Sequence, residues 1–388
     1  MVGVRIGVDC RIAHYTPGGT GVYTRRLVQA LASLPDMAGD ELVLLEAARS
    51  RQPLAPNARR GRLFTPSHHR WEQQLLPLEL LPRRLDVLHS PDYIPPFLRS
   101  CRSVITVHDL AFLRWPELLT PDSRAYFNGR IAGAVRSADA IIAVSQATKQ
   151  DLLDLLDAPA EKVRVIHEAP GFDVAASEPA EVEVFSVPDG KIRASHDAGS
   201  SGQEPSAIER WLDAERLPRD YVLFVGMFEP RKNLPRLIEA FAEVRGRGYT
   251  GQLLLAGSPG WLAEPVLEAV ERHSGYVLSR PFDPRLYQGA RVLAFPSLYE
   301  GFGLPVLEAM ACGIPVLTSN VSSLPEIAGD AALLVDPLDV SAIAEGLWRL
   351  LNEAQLAQQM SEKGLERAKQ FSWRRAALET LDVYHSLA

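Results

Sequence analysis

Residues 292–308 read Val292-Leu-Ala-Phe-Pro-Ser-Leu-Tyr-Glu-Gly-Phe-Gly-Leu-Pro-Val-Leu-Glu308. The apolar run Val292 to Ser297 predicts a parallel strand buried on both faces. Gly301 and Gly303 let the backbone turn tightly and approach a ligand closely. Pro305 suits the first turn of a helix, where its missing N–H costs nothing, and Gly313 marks the helix end. The amides around Phe302, Gly303 and Leu304 would then face outward at a positive helix end, which favours a phosphate. Glu300 in the loop and Glu308 about one turn into the helix flank that anion site. Acidic side chains beside a phosphate cradle are not there for the phosphate, but they suit hydrogen bonds from sugar hydroxyls. Taken alone, the pair reads more simply as a helix-entry cap and a solvated side chain.

The rest of the chain sets the scale. Its 388 residues are too many for one ordinary core and suit two domains of similar size. No apolar run approaches the roughly 18 residues that span a bilayer, and the N-terminus enters a strand pattern directly, so no signal peptide is expected. Cys10, Cys101 and Cys312 lie far apart, which argues against a zinc site or disulfide framework and for a reducing cytoplasm. Residues 1–172 carry a formal balance of +3 and the remainder −10. An acidic second half makes nucleic acid an unsuitable partner. The first half holds a basic stretch with aromatics: Arg59, Arg60, Arg62, Phe64, His68, His69, Arg70, Trp71, Arg83 and Arg84. It reads first as a solvated surface loop and helix. Peripheral contact with anionic lipid at the inner face of a membrane, or with an anionic acceptor, is the second reading.

Strand and helix patterns alternate in both halves, the mark of α/β domains with parallel sheets. In the first half, strands are expected at Val4–Val8, Glu41–Glu46, Asp86–His89, Ser103–Val107, Ala140–Val144 and Lys162–Ile166. Pro17-Gly-Gly-Thr-Gly21 forms a turn into a helix from about Val22, and further helices run over Asp122–Arg136, opened by Pro121, and Ala147–Leu156. Residues 175–206 are rich in Gly, Pro and Ser and read as a linker with an insertion, with a hairpin strand at Val182–Val187. The alternation restarts with strands at Tyr221, Gln252, Tyr276, Arg291, Pro315 and Ala331. It closes with helices over Val340–Leu351 and Glu353–Gln370 and a tail from Phe371. The domains are accordingly drawn at 1–174 and 207–371, with 372–388 returning to the first.

Arg231 and Lys232 follow a strand where a helix begins, so the two cations could neutralise a diphosphate. Gly18, Gly19 and Gly21 open the first helix but lack dinucleotide-fingerprint spacing. His108 and Asp109 end a strand, and Ser145 most simply caps a helix. No D-x-D pair, P-loop, nucleophile elbow or H-E-x-x-H occurs.

Glu300–Glu308, followed by Ala309-Met-Ala-Cys-Gly-Ile-Pro-Val316 and Ser323-Leu-Pro-Glu-Ile327, resembles the donor-site signature of the retaining glycosyltransferases of family 4. The resemblance runs from about Val4 to the end, apart from 176–206. It implies the GT-B fold: two Rossmann-like domains with parallel sheets facing a central cleft. It also implies transfer of a hexosyl group from a UDP- or GDP-sugar to the hydroxyl of a sugar or lipid-linked acceptor, without a metal or other cofactor. By the same resemblance Gly18, Gly19 and Gly21 close over the donor, His108 contacts its sugar and Glu308 holds the ribose hydroxyls. Glu300 with the 302–304 amides orients sugar and phosphate, while Arg231 and Lys232 stabilise the leaving diphosphate. The family has a second cation directly after the Gly of the preceding strand; here Met227 stands there, so Arg231 is a candidate replacement. A nucleotide-sugar 2-epimerase on the same fold and a catalytically silent sugar-nucleotide binder are the alternatives. Oligomeric state is not readable.

Overall fold

The computed structural model describes residues 3–15, 18–37, 39–116, 126–172 and 206–388. The chain divides into two compact units. The first holds Met1–Gly171, Glu300–Leu304 and Phe371–Ala388, and the second holds Phe172–Tyr299 and Pro305–Gln370.

The first unit is a seven-stranded sheet of β1 (Arg5–Asp9), β2 (Glu41–Ala47), β3 (Arg59–Leu63), β4 (Val87–Ser90), β5 (Arg102–Val107), β6 (Ala140–Ala143) and β7 (Val163–Val165). All pairings are parallel, in the order β3-β2-β1-β4-β5-β6-β7. Ile6, Val8, Val87, Val104 and Ile142 are buried from the sheet, and Tyr23, Leu27 and Leu31 of the helix Gly19–Ala32 pack on them. Ala376, Ala377, Leu381 and Tyr384 of the last helix, Trp373–His385, complete this core.

The second unit repeats the plan with six strands: β8 (Tyr221–Val225), β9 (Gln252–Ala256), β10 (Val277–Arg280), β11 (Val292–Phe295), β12 (Val316–Ser319) and β13 (Leu333–Val335). They run in the order β10-β9-β8-β11-β12-β13, again all parallel. In each sheet the order reverses once, between β1 and β4 and between β8 and β11. Loops leaving neighbouring strands diverge at such a point and open a crevice at the carboxyl ends.

Three expectations need correction. The basic stretch is not simply loop and helix, because Arg59–Leu63 is the edge strand β3, paired with Val43–Ala47. Its alternation is hidden by arginines: Gly61 and Leu63 are buried on one face, Arg60 and Arg62 lie on the other, Arg59 is exposed at the strand's start, and Arg60 pairs with the buried Glu46 at 2.6 Å. Charged edges of this kind discourage edge-to-edge pairing. The first helix starts at Gly19 rather than Val22, so Gly19 and Gly21 lie inside it. A helix at Glu264–Arg272 was not anticipated. Pro17, the start of the helix opened by Pro121, and the linker with its Val182–Val187 strand lie outside the described residues.

Candidate active site

In the second unit, the loops leaving β8 and β11 flank the point where strand order reverses. After β8 the chain passes Gly226, at φ 147°, makes one 3-10 turn over Pro230–Lys232, and turns left-handed at Asn233 (φ 60°) before the helix Leu234–Gly246. Asparagine tolerates that conformation better than most residues. Here its side chain also holds the turn: Asn233 Nδ2 donates to the carbonyls of Pro296 (3.0 Å) and Pro337 (2.6 Å). The amide of Leu298 donates to the Arg231 carbonyl at 2.8 Å, tying the two loops together.

Those restraints place Lys232. Its side chain is buried, with Nζ 5.0 Å from the centroid of Phe295 at the end of β11. A Cβ on Gly226 would lie 3.7 Å from Lys232 Cε. The ammonium thus sits over the carboxyl ends of β8 and β11, with an aromatic face beneath it. Arg231 is placed differently. Its Nε donates to Glu229 Oε2 at 2.9 Å and its Nη1 to the Tyr299 carbonyl at 3.3 Å. Glu229 is buried, so one edge of this guanidinium is already matched by a carboxylate. Met227, where the family has a cation, is exposed.

Glu308 lies in the second turn of the helix Leu304–Ala311 and is buried. Tyr287 Oη donates to its Oε2 at 2.7 Å, and Tyr287 is itself stacked on Phe172 with centroids 5.6 Å apart. Burial and the Glu308 charge hold the Tyr287 phenol well above its ordinary range, so it stays a donor. Burial, then Glu308, pushes the Cys312 thiol up to about 12.

The segment Glu300–Leu304 groups with the first unit. Gly301 is there for a close approach, since a Cβ on it would fall 1.7 Å from the His108 carbonyl oxygen. Ser145 Oγ donates to the Gly301 carbonyl at 2.6 Å while accepting the Thr148 amide at 3.0 Å as the N-cap of the helix Gln146–Leu156. Thr148 Oγ1 lies 3.1 Å from the same carbonyl and 3.2 Å from that of His108. Phe302 is buried beside His167 and Phe371. Gly303, at φ 105°, makes the turn into the helix. Glu300 is buried too.

His108 has both ring nitrogens engaged, Nδ1 with Glu168 Oε1 (3.0 Å) and Nε2 with the Pro91 carbonyl (2.9 Å). Burial works against the imidazolium, but the Glu168 hydrogen bond and charge, with the Pro91 carbonyl, carry its pKa above the ordinary value. His89 is the opposite case, pushed down to about 3 by burial and then by His108. It bridges Tyr384 Oη (2.6 Å) and Thr106 Oγ1 (2.8 Å) as a neutral ring. Gly18 is the N-cap of the first helix. A Cβ on Gly19 would meet nothing within 4 Å, so packing does not demand a glycine there.

A polar pocket that the sequence reading did not single out lies at the reversal point of the first sheet. Asp9 ends β1 and Arg11 follows it, Ser90 ends β4 and Asp92 follows it, and His68, Glu72 and Tyr126 also line the pocket. Arg11 donates to both Asp9 oxygens (2.9 and 2.6 Å), to Glu72 Oε1 (2.6 Å) and to the Thr65 carbonyl (2.8 Å). Tyr126 Oη donates to Glu72 Oε2 at 2.7 Å. The only sequence signal was the position of the first four at or just after strand ends.

The profile described as Glycosyl transferases group 1 matches residues 208–367, and the one described as Glycosyltransferase Family 4 matches residues 17–173. Two doubly wound parallel sheets with these matches define the class: the chain belongs to the group 1, family 4 glycosyltransferases and is a glycosyltransferase of GT-B fold. It is similar to O-antigen chain mannosyltransferase B of Escherichia coli, 33% identical over 349 residues, which are 87% of this chain and 81% of that protein. Among solved structures, sucrose-phosphate synthase from Thermosynechococcus elongatus superposes with TM-score 0.73 at 22% identity over 99% of each chain. Anabaena HepE in complex with UDP-glucose gives 0.71 at 17% identity, over 98% of this chain and 99% of that one.

Proposed function

We propose that the chain is a retaining, metal-independent mannosyltransferase of polysaccharide assembly. It moves mannose from a nucleoside diphosphate to a hydroxyl of a growing glycan on the cytoplasmic side. The observation that carries the donor reading is the placement of Lys232 over the carboxyl ends of β8 and β11, in the unit that carries Glu308 on the helix Leu304–Ala311. The sugar is suggested by the mannosyltransferase relative and the retained anomer by the family resemblance.

In this reading the C1–O bond to the diphosphate breaks while the acceptor oxygen bonds to C1 on the same face, and the acceptor's proton passes to the departing phosphate. Lys232 and the helix N-terminus stabilise the charge growing on that phosphate. Arg231 contributes less, because Glu229 already offsets part of its charge. Glu308, oriented by Tyr287, accepts the ribose hydroxyls, and Glu300 serves the donor sugar. His108, held at both ring nitrogens by Glu168 and the Pro91 carbonyl, is a fixed ring rather than a mobile base. The pocket around Asp9, Arg11 and Asp92 is assigned to the acceptor.

A thermal-shift panel of GDP-mannose, GDP, UDP-glucose and UDP tests the donor, since a bound ligand raises the melting temperature by mass action. GDP-mannose is expected to give the largest shift, and Lys232→Ala and Glu308→Ala to remove it. Turnover in the presence of a chelator, with an oligomannoside acceptor and the product anomer read by NMR, tests the reaction. Near-normal turnover of Lys232→Ala and Glu300→Ala, or an epimerised donor formed without acceptor, overturns the reading.

A further inference from the structure

The helix Glu72–Leu80 is apolar on two faces. Leu76 and Leu80 point into the first unit against Val43, Leu45, Leu63, Leu85 and Leu88. On the outer side Trp71, Leu75, Leu78 and Leu81 follow one another at helical spacing and are 51%, 46%, 68% and 65% exposed. Phe64, at the end of β3, is 81% exposed. A helix with apolar residues all round is normally covered all round. Here a continuous outer stripe of long side chains is left open, and such patches mark interaction surfaces.

The charge around the stripe identifies what covers it. The exposed positions from Arg62 to Arg84 are Arg62, Phe64, Pro66, His68, His69, Arg70, Trp71, Gln74, Leu75, Leu78, Leu81, Pro82 and Arg84, with no acidic residue among them. The two glutamates of this stretch are withdrawn, Glu72 bound to Arg11 and Glu79 to the amides of Phe64 and Thr65. A second copy of the chain is a poor occupant, since a two-fold contact would set these arginines against their own counterparts. The side chains also project rather than line a groove, which suits a fluid acyl layer better than a rigid counter-surface. Tryptophan at one end of an apolar stripe with arginines at its rim is the composition of an interfacial helix. Among the described residues no helix is long and apolar enough to cross a membrane, so contact here would be peripheral.

We infer that the outer face of Glu72–Leu80, with Trp71, Leu81 and Phe64, docks the first unit on an anionic lipid surface, the leucines entering the acyl boundary and Arg62, Arg70 and Arg84 meeting headgroup phosphates. The proposal does not depend on the sugar transferred. Co-sedimentation of the full chain with phosphatidylcholine vesicles, with and without phosphatidylglycerol, tests it. Strong binding only to the anionic vesicles, weakened by salt, is expected. Leu75→Ser/Leu78→Ser and Arg62→Glu/Arg70→Glu should each lower the partition coefficient by about tenfold or more, with the melting temperature and transfer to a water-soluble acceptor unchanged. Failure to bind anionic vesicles, equal binding to both vesicle types, or binding that survives both double variants overturns it. So does a dimer in solution that the leucine variant dissociates.

Discussion

At the scale of single residues, Gly301 and the histidines His89 and His108 make the sharpest predictions. Any side chain at 301 collides with the His108 carbonyl, so Gly301→Ala must push the Glu300–Gly303 loop off its Ser145 and Thr148 anchors. Displacement of the order of 1 Å costs about 100-fold in turnover, and steady-state assays should show that loss with a nearly unchanged melting temperature. The histidines predict opposite pH behaviour. His108 has a raised pKa, so its contribution to stability is complete below the unfolded value of about 6.5 and is lost as pH rises through the folded value. His89 is lowered to about 3, so its contribution is complete above about 6.5 and falls away as pH drops toward the folded value. Imidazole NMR should find His108 titrating above the free value of about 6.5 and His89 well below it. The reverse assignment would contradict both hydrogen-bond networks. The sequence placed His108 at a strand end but held no sign of Glu168, which is 60 positions away.

Among elements, the turn after β8 and the knot after β1 show how loops gain rigidity. Asn233→Gly keeps the left-handed backbone but loses the bonds to Pro296 and Pro337, whereas Asn233→Ala adds backbone strain of about 1 kcal/mol. Both should raise the donor KM by freeing the Lys232 turn, the alanine variant more. An equal donor KM in wild type and both variants would deny Asn233 a positioning role. In the first unit, Glu72→Leu leaves buried Arg11 with one carboxylate fewer and Tyr126 without its acceptor. Losing one partner of a buried ion pair costs about 3–5 kcal/mol, readable by denaturant unfolding. The two elements differ in legibility. Pro-Arg-Lys-Asn after an apolar run announces a loop, but Arg11, Glu72 and Tyr126 are brought together only by the fold. The strand at Arg59–Leu63 was hidden because arginines occupy its outward positions.

On the scale of the whole molecule, the chain forms one core, builds a second, and returns to the first. Ala376, Ala377, Leu381 and Tyr384 fill the same core as Ile6, Val8 and Tyr23, so removing residues 371–388 should expose the first sheet. Hydrogen exchange is expected to show protection lost across β1, β4 and β5 and kept across β8, β9 and β11. Uniform loss over both sheets would mean that the two cores do not unfold separately.

What the sequence determined by itself was periodicity: apolar runs, their glycine and proline punctuation, and hence two parallel α/β units carrying a family signature. These follow from local backbone chemistry, and each is encoded within a few neighbouring residues. Only the tertiary structure decided that Ser145 grips Gly301, that the Tyr299 carbonyl takes one edge of Arg231, and that one face of Glu72–Leu80 stays bare. Each of these is a contact, or a missing contact, between segments whose distance along the chain says nothing about their distance in space.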